Sequence, residues 1–279
     1  VPFTRGRERS RPTADILREI RALAGSGARE VTLLGQTVNS YGKNMAEGRV
    51  PFCSLLEQID SISGIERVRF TSPYPRDFTD DLIQAIAGLR TVCEHVHLPL
   101  QVADDALLAD MRRGYTVERF REIVQKLRSA APGISITTDI MLGYPGETEQ
   151  QYLNTMRFVE EMRFDAAFMF AYSPRPGTKA AARTDQVPKQ EKLDRLGALV
   201  ELQNRITVQI NRAQVGGHAE VLVEGVSRKD PSRLTGLTRG NKTVSFTADR
   251  LPADLTGHLV WVAIEQGHLW GFSGVHRPS

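Results

Sequence analysis

Cysteine is nearly missing from the 279 residues: Cys53 and Cys93 are the only two, far apart and with no Cys-x-x-Cys spacing. Such a pair makes neither a metal site nor a disulfide framework, and each reads as a small buried hydrophobe. Long apolar runs are missing too. No stretch approaches the roughly eighteen residues needed to span a bilayer, and Val1-Pro2-Phe3-Thr4-Arg5-Gly6-Arg7 lacks a secretory apolar region. A cytoplasmic chain without a membrane partner is the expectation. Nor is there a Ser/His/Asp arrangement, a Walker loop or a pair of carboxylates set in an evident cleft, so spacing alone names no reaction.

Charge of one sign is also scarce, since 36 Lys and Arg against 33 Asp and Glu leave +3. Its placement is uneven. Residues 1–204 carry 27 basic and 27 acidic side chains, whereas residues 205–279 carry 9 and 6. A second basic cluster, Arg5, Arg7, Arg9 and Arg11, surrounds Glu8. Both regions are candidate phosphate contacts, and both fit a solvated face equally well.

What is present is a run of β-rich segments alternating with helical patterns from Glu30 to Tyr172, the pattern of βα units around a parallel sheet. The strands read Val31–Leu34, Val68–Thr71, His95–Leu98, Ile134–Thr138 and Ala166–Phe170. Between them Val117, Phe120, Val124 and Leu127 recur at helical spacing, as do Tyr152, Met156, Val159 and Met162. Thr148 with Gln151 predicts a capping box, and Thr13 and Thr79 are expected as hydroxyl caps. An amphipathic stretch from about Lys189 to Ile210 offers Leu193, Leu196, Leu199, Val200 and Leu202 for packing. After Gly216-Gly217 the period changes to short strands at Glu220–Glu224, Thr243–Phe246, Leu259–Val262 and Leu269–Phe272, a small all-β barrel. Its turns hold Arg228-Lys229, Arg233, Arg239 and Lys242, which suits RNA phosphate as well as plain solvation.

Ligands of parallel α/β sheets collect beyond the C-terminal ends of the strands. Here those segments are polar and glycine-rich: Gly35–Ser40, Ser72–Pro75, Pro99–Gln101, Gly143–Glu147 and Ser173–Thr178. Gln36, Asn39 and Gln101 offer donors and acceptors, and the glycines permit close backbone approach, so an amino-acid-bearing nucleoside suits the rim. Taken singly, each of these residues serves equally well as a helix cap or a loop tie. His95 and His97 share one strand face and read as packed, hydrogen-bonded histidines.

The wording of these segments resembles that of the radical S-adenosylmethionine methylthiotransferases. Val1–Pro12 is similar to the stretch that follows the Cys-x-x-x-Cys-x-x-Cys motif there, Leu33–Tyr41 and Arg69–Pro75 to the segments after two strands, and Thr137–Thr148 and Tyr172–Thr178 to two later motifs, all in order. The tail from Val221-Leu222-Val223-Glu224-Gly225 resembles the TRAM domain. That resemblance implies a partial (β/α)6 radical SAM barrel over residues 1–212, its first βα unit missing, followed by a TRAM RNA-binding barrel over residues 213–279.

Within the family, Gly35–Tyr41 most resembles the MiaB type, which converts N6-isopentenyladenosine beside the tRNA anticodon into its 2-methylthio form. A RimO-type enzyme of a ribosomal protein and a non-catalytic RNA-binding unit are the alternatives. The resemblance implies reductively cleaved S-adenosylmethionine, a 5′-deoxyadenosyl radical, and two 4Fe-4S clusters in the complete enzyme. It implies a tRNA anticodon stem-loop and a reductant protein as partners; no oligomeric state follows from the sequence, and a monomer is the expectation. Gln36 and Asn39 would contact the methionine end of the cofactor, Ser72, Gln101 and Asp139 its ribose side, and the backbone at Gly143 and Tyr172 its adenine. Arg228, Lys229, Arg239 and Lys242 would meet RNA. One loop departs from the family, with Val102-Ala103-Asp104-Asp105 where Ser-Gly-Ser-Asp is common. The cluster cysteines are expected upstream of Val1, so the chain by itself is expected to be inert. Anaerobic reconstitution with iron and sulfide should give no stable cluster and no deoxyadenosine, and formation of both would refute this.

Overall fold

The computed structural model describes residues 9–45, 48–249 and 252–277. The segment Val1–Glu8, which carries part of the resemblance, lies outside them. Two compact units emerge, one holding the described residues up to Pro99 together with Glu122–Ile134, the other Leu100–Arg121 and Ser135 onward.

In the first unit, helix α1 (Thr13–Gly25) buries Leu17 and Ile20 on one stripe. Its expected cap is not at Thr13. The chain enters from Pro12 with no side-chain cap, because the Thr13 hydroxyl is hydrogen-bonded to the Tyr41 hydroxyl at 3.0 Å instead. Strand β1 (Glu30–Leu33) pairs in parallel with β2 (Arg67–Phe70), Glu30 opposite Arg67 and Leu33 opposite Phe70. A parallel pair needs a crossover, here supplied by a short 3-10 turn at Val38–Ser40 and helix α2 (Phe52–Asp60). Phe52, Leu55, Leu56 and Ile59 of α2 are buried, the i, i+3, i+4, i+7 face of an amphipathic helix. Thr79 does cap helix α3 (Asp80–Gly88), accepting from the Leu82 amide. In β3 (His95–His97) Val96 is fully buried and both histidines are half-buried, in line with the period of two.

The second unit contains α4 (Asp105–Asp110), the start of α5 (Val117–Ala130), and β4 (Ser135–Leu142) paired in parallel with β5 (Ala166–Ala171). Asp104, the charge that departs from the family wording, and Asp105, which keeps it, are helix caps. Asp104 accepts from Ala106 and Leu107 at 3.1 and 3.2 Å, and Asp105 from Val117 at 2.7 Å. Helix α6 (Glu149–Met162) opens with the expected capping box between Thr148 and Gln151. Helix α7 (Lys189–Arg212) packs through Leu199, Leu202 and Ile206, while Leu193 is exposed.

A closed five-stranded barrel follows, in the order β10-β8-β7-β6-β9, from β6 (His218–Val226), β7 (Leu234–Thr238), β8 (Thr243–Thr247), β9 (Leu259–His268) and β10 (Gly271–Arg277). A one-turn helix α8 (Pro252–Leu255) lies between β8 and β9. Val221, Val223, Val244, Phe246, Val262 and Phe272 fill the interior. Sequence reading missed β7 and placed Leu269 and Trp270 in a strand. The segment Leu234-Thr-Gly-Leu-Thr238 has a glycine where strands favour bulk. The glycine is required, since a Cβ at Gly236 would sit 2.2 Å from the Leu222 carbonyl of the neighbouring strand. Trp270 is 81% exposed in the turn that joins β9 to β10.

Candidate functional site

In the first unit the loop after β1 is pinned to the loop after β2 by Asn39. Its side-chain amide donates to the Tyr74 carbonyl at 3.0 Å and its carbonyl accepts from the Tyr74 amide at 2.7 Å. Asn39 is buried, and this reciprocal pair uses half of its hydrogen-bonding capacity, so it shapes the rim. Gln36 stands exposed beside it. Ser72 is half-buried with φ of +57°, a left-handed conformation that costs a non-glycine residue about 1–3 kcal/mol and concentrates at functional sites. Below them Asp77 accepts from Ser40 at 2.5 Å and pairs with Lys43 at 2.7 Å. Burial works against its charge, but the hydrogen bonds from Lys43, Ser40 and Arg76 win and hold its carboxyl below the ordinary 3.8.

In the second unit Gln101 has φ of +71° and is bridged to β4, its amide donating to the Asp139 carbonyl and its carbonyl accepting from the Met141 amide, both at 2.8 Å. Asp139 is half-buried on β4. Beyond the strand, Gly143 turns at φ of +73°, and a Cβ there would lie 2.4 Å from the Lys192 side chain. Only glycine fits both requirements. Its amide donates to Glu147 at 2.8 Å, and the same carboxylate oxygen meets Arg195 at 2.8 Å, with side-chain exposures of 0% and 5% for the pair. Burial pushes the Glu147 carboxyl upward, opposed by the Gly143 amide and Arg195. Sequence reasoning did not single out this pair, whose members are 48 residues apart. Tyr172 donates its amide to the Leu142 carbonyl at 2.8 Å, and its ring lies 5.0 Å from the Lys192 ammonium. The Tyr172 hydroxyl is buried without a partner. The seven rim residues thus divide, Gln36, Asn39 and Ser72 in the first unit and Gln101, Asp139, Gly143 and Tyr172 in the second.

The expected RNA contacts divide as well. Arg228 and Lys229 are exposed in the turn after β6, and Arg239 is half-buried with interactions of its own. Lys242 is committed elsewhere. Its ammonium pairs with Asp165 at 2.6 Å and donates to Asn211 at 2.9 Å, so it fastens the closed barrel to α7 and β5. Among the described residues no group of three His, Cys, Asp or Glu is placed to hold a metal ion, and Cys93 is buried. The described residues do not fit an iron–sulfur cluster.

Paired parallel strands with polar tips define an α/β protein, a class whose ligands collect at the strand ends. Residues 1–159 match the radical SAM superfamily. The chain belongs to that superfamily. It is 49% identical over 275 residues to the tRNA-2-methylthio-N(6)-dimethylallyladenosine synthase of Carboxydothermus hydrogenoformans, covering 99% of this chain and 62% of the relative. The synthase of the same name from Moorella thermoacetica is 47% identical, with coverages of 98% and 61%. The chain therefore spans roughly three-fifths of the length of these curated relatives. Among solved structures, coproporphyrinogen III oxidase (HemN) from Escherichia coli shares the fold with a TM-score of 0.53 at 14% identity, covering 81% of this chain and 59% of that one.

Two outcomes follow from the buried charges. Since the folded Asp77 carboxyl lies below 3.8, its stabilisation is full above that pH and fades as pH falls through the folded value. Asp77→Asn should lower stability by about 1–2 kcal/mol at neutral pH and progressively less in acid, read from urea midpoints at several pH values. Arg195→Ala should cost about 3–5 kcal/mol by leaving the Glu147 charge alone in the interior, and an unchanged denaturation midpoint would contradict the structural role given to the pair.

Proposed function

We propose that this chain is the cofactor- and RNA-binding portion of a radical SAM methylthiotransferase that modifies N6-isopentenyladenosine next to the tRNA anticodon. The identity of 49% across 99% of the chain with a synthase named for that product carries the reading. Residues 1–212 are assigned to the radical SAM core, a (β/α)6 barrel without its first βα unit, and residues 213–279 to a TRAM domain. The protein is assigned to the cytoplasm as a monomer served by a reductant protein, with two 4Fe-4S clusters ligated outside this chain.

S-adenosylmethionine fits the rim chemically. An orphaned buried hydroxyl on Tyr172 and the uncommitted carboxamides of Gln36 and Gln101 are the donors and acceptors that a nucleoside with an amino-acid tail requires. Bound there, the cofactor supplies a radical and a methyl group. In the second unit Tyr172 and the Gly143 turn are assigned to the adenine and Gln101 and Asp139 to the ribose; in the first, Ser72 is assigned to the ribose and Gln36 to the methionine end, with Asn39 positioning the loop that carries Gln36. Arg228, Lys229 and Arg239 meet the anticodon stem-loop from the closed barrel, and Lys242 supports the barrel that presents them.

Nucleoside mass spectrometry of tRNA treated with the complete gene product, reconstituted anaerobically, tests the assignment. Methylthio-isopentenyladenosine is the expected product. Methylthiolation of a ribosomal protein with unmodified tRNA would replace it by the RimO-type reading.

A further inference from the structure

Beside the Gly143 turn, within the second unit, lies an open cavity of about 610 Å³ that no rim residue named above explains. Arg112, Arg113, Lys179 and Arg183 line it, with Asp110 and Tyr144 among their neighbours. Arg183 is already neutralised, since it is clamped by Asp110 and by Asp185. The other three cations form no ion pair or side-chain hydrogen bond among the described residues. Four cations against the two carboxylates on Arg183 leave the hollow with a surplus of two positive charges, which favours entry of an anion. Arg112 and Arg113 are placed by the end of α4, where Arg112 takes the left-handed conformation that closes a helix, at φ of +56°, its amide on the Ala109 carbonyl and the Arg113 amide on the Leu108 carbonyl.

The charge balance also selects among anions. S-adenosylmethionine carries a sulfonium and an ammonium against one carboxylate, so a hollow with a surplus of two positive charges disfavours it. A phosphodiester backbone, with one negative charge per nucleotide and no positive charge, is favoured at every step. The volume falls within the range of about 300–1,000 Å³ typical of small-ligand pockets and suits one or two nucleotides. Position fits as well, since Tyr144 on the cavity wall packs edge-on against Tyr172 with ring centroids 5.5 Å apart. A backbone seated in the cavity would hold the adjoining nucleotide one ring away from the proposed cofactor rim of this unit.

We infer that this cavity is a phosphate grip for the single-stranded part of the RNA substrate, with Arg112, Arg113 and Lys179 as its contacts. The inference rests on the tRNA reading above and extends it from the closed barrel to the α/β part of the unit.

Fluorescence anisotropy of a labelled anticodon stem-loop with the present chain, across a salt series, tests it. Wild type should bind, and the triple variant Arg112→Gln, Arg113→Gln, Lys179→Gln should lose at least tenfold in affinity, with the slope of log K against log salt falling by about two. Arg112→Gly gives a control against misfolding, because glycine relieves the left-handed backbone while deleting one charge. It should keep or raise the thermal midpoint and still weaken binding. A triple variant with wild-type affinity and slope, while Arg228→Gln with Lys229→Gln loses both, would overturn the grip and leave the RNA reading standing. Absence of RNA binding by the wild-type chain would remove the RNA reading and the grip together.

Discussion

A carboxylate and a guanidinium, both out of water, hold the turn that follows β4. Glu147 accepts from the Gly143 amide and from Arg195 on helix α7, and Arg195 also reaches Glu149 and Glu191. Placing these charges in the interior costs several kcal/mol of desolvation before any attraction is counted, so the pair is a weak source of stability. Its value is geometric. With the turn fixed, Gly143 can pass close to Lys192, Lys192 can cover Tyr172, and Tyr172 can pack on Tyr144. The adenine side of the proposed cofactor rim and the wall of the cationic cavity both derive from that one constraint.

The elements of the fold were legible because their signals are local. β-rich runs marked β1 to β5, helical spacing marked α5, α6 and α7, and the Thr148–Gln151 capping box was readable from the residue types alone. Roles that depend on distant partners were not. Asn39 has the composition of a ligand contact, and its carboxamide turns out to tie Tyr74, 35 residues away. Lys242 sits in a basic turn that suits RNA, yet Asp165 claims its ammonium from 77 residues back along the chain. Thr13 looked like a helix cap, and a tyrosine hydroxyl competed for it. Strand β7 was obscured for a related reason, since the residue that lets it pass under its neighbour is the one that weakens its strand signal.

Backbone strain supplied what composition had not. Ser72 and Gln101 adopt positive φ without being glycine, and both are rim residues that the family resemblance also selects, whereas Arg112 and Arg163 take it where they close helices. Nothing in their identity announces the conformation. Their neighbours impose it, as the two backbone bonds of Gln101 to β4 illustrate. A steric cost thus falls on two residues that had been chosen on other grounds.

The fastening of the closed barrel has a bearing on how such proteins can be recombined. Asp165 receives Lys242 from the barrel and the Ile136 amide from β4, while Asn211 at the end of α7 joins Lys242 to the His268 carbonyl. The covalent junction after α7 is thus not an energetic one. A chimaera that kept the α/β portion and grafted a foreign barrel would carry off the ammonium and leave a half-shielded carboxylate behind, so the two parts are constrained to change together.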